Sequence, residues 1–343
     1  MKKIITLAMA IVIMGVYITG CSFKTTQEID EIEEKFPDKE ITIVIPWPSG
    51  EFIDIVASEF AQLLGEKLEQ TVTVINKEGA SGAIGTSFVY DRASDGYTLL
   101  FSTETLALFR VMGLNSLGFD DFTPLKMLVH DFKVVVVPEN SKYNTFKELI
   151  DDIKAKPGKV SMSYSGPGTD GHIQGLLLKQ IGIDAAIVPY NGEKSSMTAA
   201  IDGEVDFTFL NYSIAKDSLK SKKLRILATF TEEKIEELKD IPSVMEIVPD
   251  MAKYTQLYFP NVLLVKKDTP ENVKDVLIDK IEEVIDDPRW REFIDTYSYT
   301  ALDHLTTEEI EEYWNQYTSI TSWLLYDTGS IERSPEEFGI NRP

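Results

Sequence analysis

At 343 residues the chain is long enough for two domains, and 43% apolar content suits globular cores. Its formal net charge of −22 comes from 56 acidic against 34 basic residues. A phosphate backbone would be repelled by that surface and no basic stripe relieves it, so nucleic acid is excluded as a partner.

Lys2 and Lys3 precede an uncharged stretch, Ile4 to Ile18, that runs into Thr19-Gly20-Cys21. A charged start, an apolar run and a small-residue site define a secretory signal over residues 1–20. The run is shorter than the about 20 residues that span a bilayer. Cys21, the only cysteine, follows directly and would have no disulfide partner after export. Ile18-Thr19-Gly20-Cys21 resembles the bacterial lipobox. That implies lipidation of Cys21 and an exported protein, lipid-anchored to the cell membrane and facing its extracellular or periplasmic side. Residues 21–40 carry Glu28, Asp30, Glu31, Glu33 and Glu34 with few apolar partners, and read as an acidic tether.

From Ile41 onward strand-like and helix-like segments alternate, the pattern of a mostly parallel α/β sheet. Ile41 to Ile45 is an apolar run followed by the loop Pro46-Trp47-Pro48-Ser49-Gly50-Glu51. Ile53, Val56, Ala57, Phe60 and Leu64 then recur at helical spacing, which places Asp54 in the first turn of a helix packed on the sheet. Thr71 to Ile75 and Tyr97 to Phe101 are further strands, with a helix over Gly79 to Tyr90 and a mixed segment reaching Gly118. A second series opens with the Val-rich Lys133 to Val137, suited to a strand buried on both faces. It continues with a capped helix from Thr145 to Ala155 and strands at Val160 to Tyr164, Ala186 to Val188, Val205 to Leu210 and Leu224 to Thr229. After Pro242 come a strand at Val262 to Lys266 and long polar helices at Glu271 to Asp286, Pro288 to Tyr297 and Thr307 to Leu325, expected to return to the first lobe. Trp290, Trp314 and Trp323 in these helices read as packing residues.

Four Gly-rich or polar loops fall at strand C-terminal ends, where open α/β sheets place ligands: Trp47 to Asp54, Asn76 to Gly85, Tyr164 to His172 and Tyr190 to Gly192. A helix N-terminus in such a loop holds an anion through unpartnered N–H groups without any Arg or Lys. The second loop lacks the endings and spacing of nucleotide-binding loops. In the third, Ser165 and Thr169 offer hydroxyls to a carboxylate, and His172 beside Ser165 and Asp170 lacks the elbow of a hydrolytic triad. His130, His172 and His304 are scattered with no metal-ligand spacing. No cofactor, no metal and no enzymatic activity are expected.

Seven motifs occur in a recognisable order: the Pro-Trp-Pro loop ending in Asp54, Asn76 with Gly79-Ala80-x-Gly82, Asp95-Gly96-Tyr97-Thr98-Leu99, Lys156-Pro157-Gly158, Gly166-x-Gly168-Thr169-x-x-His172, Val188-Pro189-Tyr190-x-Gly192 and Gly203-x-Val205-Asp206. Together they resemble the substrate-binding proteins of tripartite tricarboxylate transporters, the Bug family, over about Ile41 to Trp323. The resemblance implies a two-lobed, type II periplasmic-binding-protein-like fold with the ligand cleft between lobes. Lobe 1 would comprise 41–129 and 258–343, and lobe 2 would comprise 130–257. It implies a solute-binding protein that closes on a small carboxylate-containing solute, whether a di- or tricarboxylate, an aromatic acid or an amino acid, and presents it to membrane permease subunits. Carried over by position, the contacts would be Trp47, Ser49, Gly50 and Asp54 with Pro46 from the first lobe, and Gly168, Thr169 and His172 with Gly166 from the second. Glu51, Ser102, Tyr164, Ser165, Tyr190 and Asp206 complete the set of candidate ligand contacts.

This chain departs from the family at Glu51, where a second glycine is usual, and at Tyr164, where serine is usual. A carboxylate pointing into the cleft from Glu51 would cost a polycarboxylate ligand roughly 4 kcal/mol at about 4 Å and an effective dielectric near 20. The expectation is then a ligand that carries an amine beside its carboxylate, received by Glu51 or Asp54. The alternative has Glu51 in solvent with only its amide in use. Two other functions remain open: a receptor of the same fold that signals to a sensor kinase, and an enzyme on this scaffold.

Overall fold

The computed structural model describes residues 36–231, 234–254, 257 and 259–343. Cys21, the signal segment and most of the tether lie outside the described residues. The elements are β1 (Ile41–Ile45), α1 (Phe52–Leu68), β2 (Val72–Asn76), α2 (Ala83–Tyr90), β3 (Thr98–Ser102), β4 (Phe122–His130), β5 (Lys133–Pro138), α3 (Phe146–Ala155), β6 (Ser161–Tyr164), α4 (Asp170–Gln180), β7 (Ala186–Pro189), α5 (Glu193–Ile201), β8 (Phe207–Asn211), α6 (Tyr212–Lys220), β9 (Leu224–Phe230), α7 (Val244–Ile247), β10 (Pro260–Lys266), α8 (Glu271–Ile285), α9 (Pro288–Tyr297), β11 (Thr300–Ala301) and α10 (Thr307–Asp327).

The strands form two sheets, ordered β11-β4-β10-β3-β1-β2 and β7-β6-β8-β5-β9. The chain passes from the first sheet to the second between β4 and β5, and returns between β9 and β10. Each sheet is mixed, a correction to the mostly parallel expectation. β1 lies parallel to β2 and β3, and β6 lies parallel to β7 and β8. β10 runs antiparallel to β3 and β4, and β5 runs antiparallel to β8 and β9. The antiparallel strands are those next to the crossings, where a chain entering from the other sheet is not constrained by a βαβ connection.

Periodicity located α1 correctly. Ile53, Val56, Ala57, Phe60 and Leu64 are all buried, and the helix packs on β1, β2, α8 and α9. Thr145 caps α3 by accepting the Glu148 N–H at 3.2 Å, and Glu148 reciprocates to Asn144 N–H at 2.7 Å. β4 carried no clear strand signal because Pro124 and Lys126 interrupt its apolar run. Pro124 falls at a register irregularity against β10, and the buried Lys126 stem ends on Glu282 at 2.7 Å.

Two further assignments change. Residues 36–40, placed in the tether by composition, dock on the body: Phe36 meets the Tyr97 ring edge-on at 4.9 Å, and the Tyr97 hydroxyl donates to Asp38 at 2.7 Å. Helix α8 does return to β4 of the first sheet and α9 packs on α1 and α8 beside it, but α10 packs on both β4 and α4 and so touches both halves. The three tryptophans are core residues: Trp290, Trp314 and Trp323 are buried, and Trp290 stands edge-on to Phe60 at 5.4 Å. Truncating Phe60 to Ala should therefore destabilise the protein by about 3–5 kcal/mol, read from urea unfolding, because the cavity opens between α1 and α9.

Candidate ligand-binding site

The loop after β1 is held in shape by Asp54. Its carboxylate accepts Gly50 N–H at 2.6 Å, the Ser49 hydroxyl at 3.0 Å and the Asn76 amide at 2.9 Å. The same amide reaches the Trp47 carbonyl at 3.0 Å and ties the loop to the end of β2. Asp54 and Ser49 are thus engaged within the loop. What the loop presents inward is the Trp47 indole and the Glu51 side chain.

Across from it, β6 leads through Ser165 and Thr169 into α4, and β7 leads through Gly192 into α5. These residues enclose, with Trp47, Glu51, Phe52, Ile53, Thr103, Glu104, Asp170, Glu193, Asn211, Phe259 and Asn261, a cavity of about 60 Å³. A single water needs about 10–15 Å³, so the space suits a small solute. Two features of the backbone permit this close approach. Gly192 has φ +86°, and a Cβ there would lie 2.8 Å from a Glu51 carboxylate oxygen. Gly168 has φ +81°, and a Cβ would lie 2.9 Å from Met112 Sδ.

Glu51 resolves one open point, since it is buried in this cavity and not in solvent. It stands at the N-cap position of α1 yet makes no cap there. Its Oε1 accepts instead the backbone N–H of Lys194 in the first turn of α5, at 3.2 Å. Glu104, from the turn after β3, does the same to α4, accepting Asp170 N–H at 3.1 Å. Burial, and then Glu193, push the Glu51 carboxyl up to about 7. Burial, and then Asp170, push Glu104 up to about 8.

Behind them lies Lys133 at the start of β5, 2% exposed, bonded to Asp170 and at 2.8 Å to Glu193. Burial pulls its ammonium down, but the two carboxylates outweigh that and hold it well above the usual lysine range. Glu193 also accepts from the backbone N–H of Asn211 and, at 3.1 Å, from its side-chain amide, yet burial still raises its carboxyl. Trp47 Nε1 and both polar atoms of Asn261 are buried without a protein partner. Such groups cost about 1–3 kcal/mol unless something in the cavity satisfies them.

Of the residues singled out from sequence, Trp47, Glu51, Ser165 and Thr169 line the cavity. The Thr169 hydroxyl donates to the Gly166 carbonyl at 2.7 Å. His172 stacks on Tyr164 at 4.8 Å and accepts Gly168 N–H at 3.1 Å through Nδ1. Burial pulls its imidazole down to about 4, so it is neutral at neutral pH, and Asp170 is tied to Lys133; no relay joins them to Ser165. Ser102 lies buried in β3 just short of the cavity, its hydroxyl 3.5 Å from the Thr103 carbonyl. Tyr190 turns outward and donates to Glu204 at 2.9 Å. Asp206 accepts the Ser161 N–H at 2.8 Å, which puts it at the N-terminal ends of β6 and β8, opposite the ligand loops.

Sequence reasoning missed Glu104, Glu193, Asn211 and Asn261. Glu104 follows the C-terminal end of β3 and Asn211 is the last residue of β8, so the loop rule that found the others could have found them. Asn261 sits within the antiparallel β10 and has no local signal.

Two mixed sheets with helix N-termini converging on a polar cavity define a two-lobed solute-binding protein. The chain belongs to the tripartite tricarboxylate transporter family of receptors, whose family description matches residues 56–308. It is 27% identical over 216 residues to a UPF0065 protein of Pseudomonas sp. strain P51, a match spanning 62% of this chain and 64% of that relative. Among solved structures it is similar to a periplasmic transporter at 27% identity and a TM-score of 0.76, covering 85% of this chain and 97% of that one. The fold is shared with MatC of Rhodopseudomonas palustris, solved with bound malate, at 20% identity and a TM-score of 0.75, covering 84% and 100%.

The raised carboxyls set a pH dependence. Each of Glu51 and Glu104 binds its proton more tightly folded than unfolded, so their contribution to stability is greatest below about pH 4.5, the ordinary carboxyl value, and is lost as pH rises through about 7 and 8. Burial of His172 works the other way below about pH 6.5, so the unfolding free energy should decline from pH 6.5 to pH 8.5, and the decline should be shallower in Glu104→Gln, as followed by chemical denaturation across that range.

Proposed function

We propose that this protein is an extracytoplasmic solute-binding lipoprotein that captures a small carboxylate-containing solute by closing its two lobes and delivers it to a tripartite tricarboxylate-type membrane transporter. The observation that carries this reading is the cavity between the two loops, bounded by the N-termini of α4 and α5 on one side and by Trp47 and Glu51 on the other. The malate held by MatC on the same fold supports a small organic acid as the solute class. The lobes are those assigned from sequence, 41–129 with 258–343 and 130–257, with hinges at the two crossings. We assign the site no catalytic step: His172 beside it is fixed as a neutral acceptor, and Lys133 behind it is held between two carboxylates.

Ligand should raise the melting temperature of the full chain by mass action and compact it by hinge closure. A thermal-shift panel of di- and tricarboxylates, aromatic acids and amino acids, followed by small-angle scattering with the best binder, reads both. Gly168→Ala should weaken that binder about tenfold or more, because the new methyl meets Met112 as the lobes approach. Absence of compaction at saturation would count against closure.

Anchoring is tested separately. The wild-type chain should show the added mass of lipid at Cys21 and sediment with membranes, and Cys21→Ala should be released. No helix among the described residues is long and apolar enough to cross a membrane, so in the described part nothing else would retain the variant by spanning. An intact mass without lipid would reject the anchor.

A further inference from the structure

In this cleft the anion positions are filled by the protein's own side chains. A helix N-terminus attracts a carboxylate, and both helices that face the cavity already have one from the opposite half: Glu51 on α5 and Glu104 on α4. Four carboxylates, Glu51, Glu104, Asp170 and Glu193, line one small cavity. The buried cation nearest them, Lys133, is already shared by Asp170 and Glu193. No arginine or lysine lines the cavity, and the Lys194 side chain is exposed outside it with its ammonium against Gly50. The hydrogen bonds to Lys194 and Asp170 use one oxygen of Glu51 and one of Glu104. Beside them, Trp47 Nε1 and the Asn261 amide are more than nine-tenths buried, unpartnered and on the cavity wall.

We propose that the solute carries an ammonium or guanidinium group, received by Glu51 and Glu104, together with an acceptor such as a carboxylate or carbonyl, held by Trp47 and Asn261, so that the receptor selects a neutral or positively charged solute over a dicarboxylate. This deepens the receptor reading above and rests on it. Desolvated carboxylates gain most from a cation brought between them, whereas a second anion meets like charge at low dielectric. The donor Trp47 and the two-way amide of Asn261 match a group that accepts at one end of the solute. A metal ion is not the cation that fits, since among the described residues no group of His, Cys, Asp or Glu has the geometry to hold one.

Proton linkage follows. Glu51 faces Glu193 and Lys194, and Glu104 faces Asp170, Lys133 and Tyr317. With their carboxyls raised to about 7 and 8, a cation must displace protons to bind. Affinity for it should rise with pH, and affinity for a dicarboxylate should fall.

The test is calorimetry on the full chain at pH 6 and pH 8 with putrescine, L-ornithine, 4-aminobutyrate, malate and citrate. At least one of the three amines should bind more tightly than both acids, at least tenfold better at pH 8 than at pH 6, with proton release read from buffers of different ionisation enthalpy. Glu51→Gln/Glu104→Gln keeps an acceptor for each helix N–H; it should weaken that amine at least tenfold and strengthen malate, while retaining a cooperative melt. Trp47→Phe removes the indole N–H together with its five-membered ring and keeps an aromatic side chain; with a cooperative melt retained, it should weaken 4-aminobutyrate more than putrescine. If malate or citrate binds most tightly and takes up protons, the receptor reading survives and the cation inference is overturned. If none of the five binds, both fall.

Discussion

The Lys133 ammonium is the contact on which the second half of the cleft depends. It stands at the first residue of β5, where the chain has just crossed from one sheet to the other, and reaches Asp170 at the start of α4 and Glu193 at the start of α5. One buried cation therefore fixes two helix N-termini relative to the strand beside a crossing. Removing one partner from such a group leaves charge without solvent, which typically costs about 3–5 kcal/mol. Asn211, at the end of β8, adds two donors to Glu193 and ties in the neighbouring strand.

The first half is built on a different device. Asp54 collects three donors from its own loop and from β2, and its carboxylate is thereby taken out of the cleft and made part of the scaffold. That leaves Glu51 as the charged group of this loop that reaches across. Glu51 and Glu104 bond backbone N–H groups of the opposite half at 3.2 and 3.1 Å, contacts that lobe opening would break. Burial raises both carboxyls, and the N–H bonds that favour their ionised form come from the opposite half.

Close approach depends on backbone without side chains. At Gly192 and Gly168 the chain adopts positive φ and passes within contact distance of Glu51 and Met112. The C-terminal helix α10 packs against β4 and α4 together and so touches both halves.

The sequence by itself determined the alternation of strands and helices, the buried stripe of α1, the cap of α3 and the loops that bear the site, because each of these is set by neighbours a few residues away. It also placed Trp47, Ser165 and Thr169 at strand ends, where α/β sheets bind ligands. Local pattern could not reveal β4, whose Pro124 and Lys126 are tolerated only through a register irregularity and a distant glutamate. Nor could it give the antiparallel crossings, the docking of Phe36 on Tyr97, or the outward turn of Tyr190 and the remote position of Asp206. The direction of the Glu51 side chain was decided by a helix 143 residues away, whose first N–H groups offered a better partner than its own. The charge of the cleft is likewise a tertiary quantity, since Glu104, Asp170, Glu193 and Lys133 come from four segments and share a low dielectric only after folding.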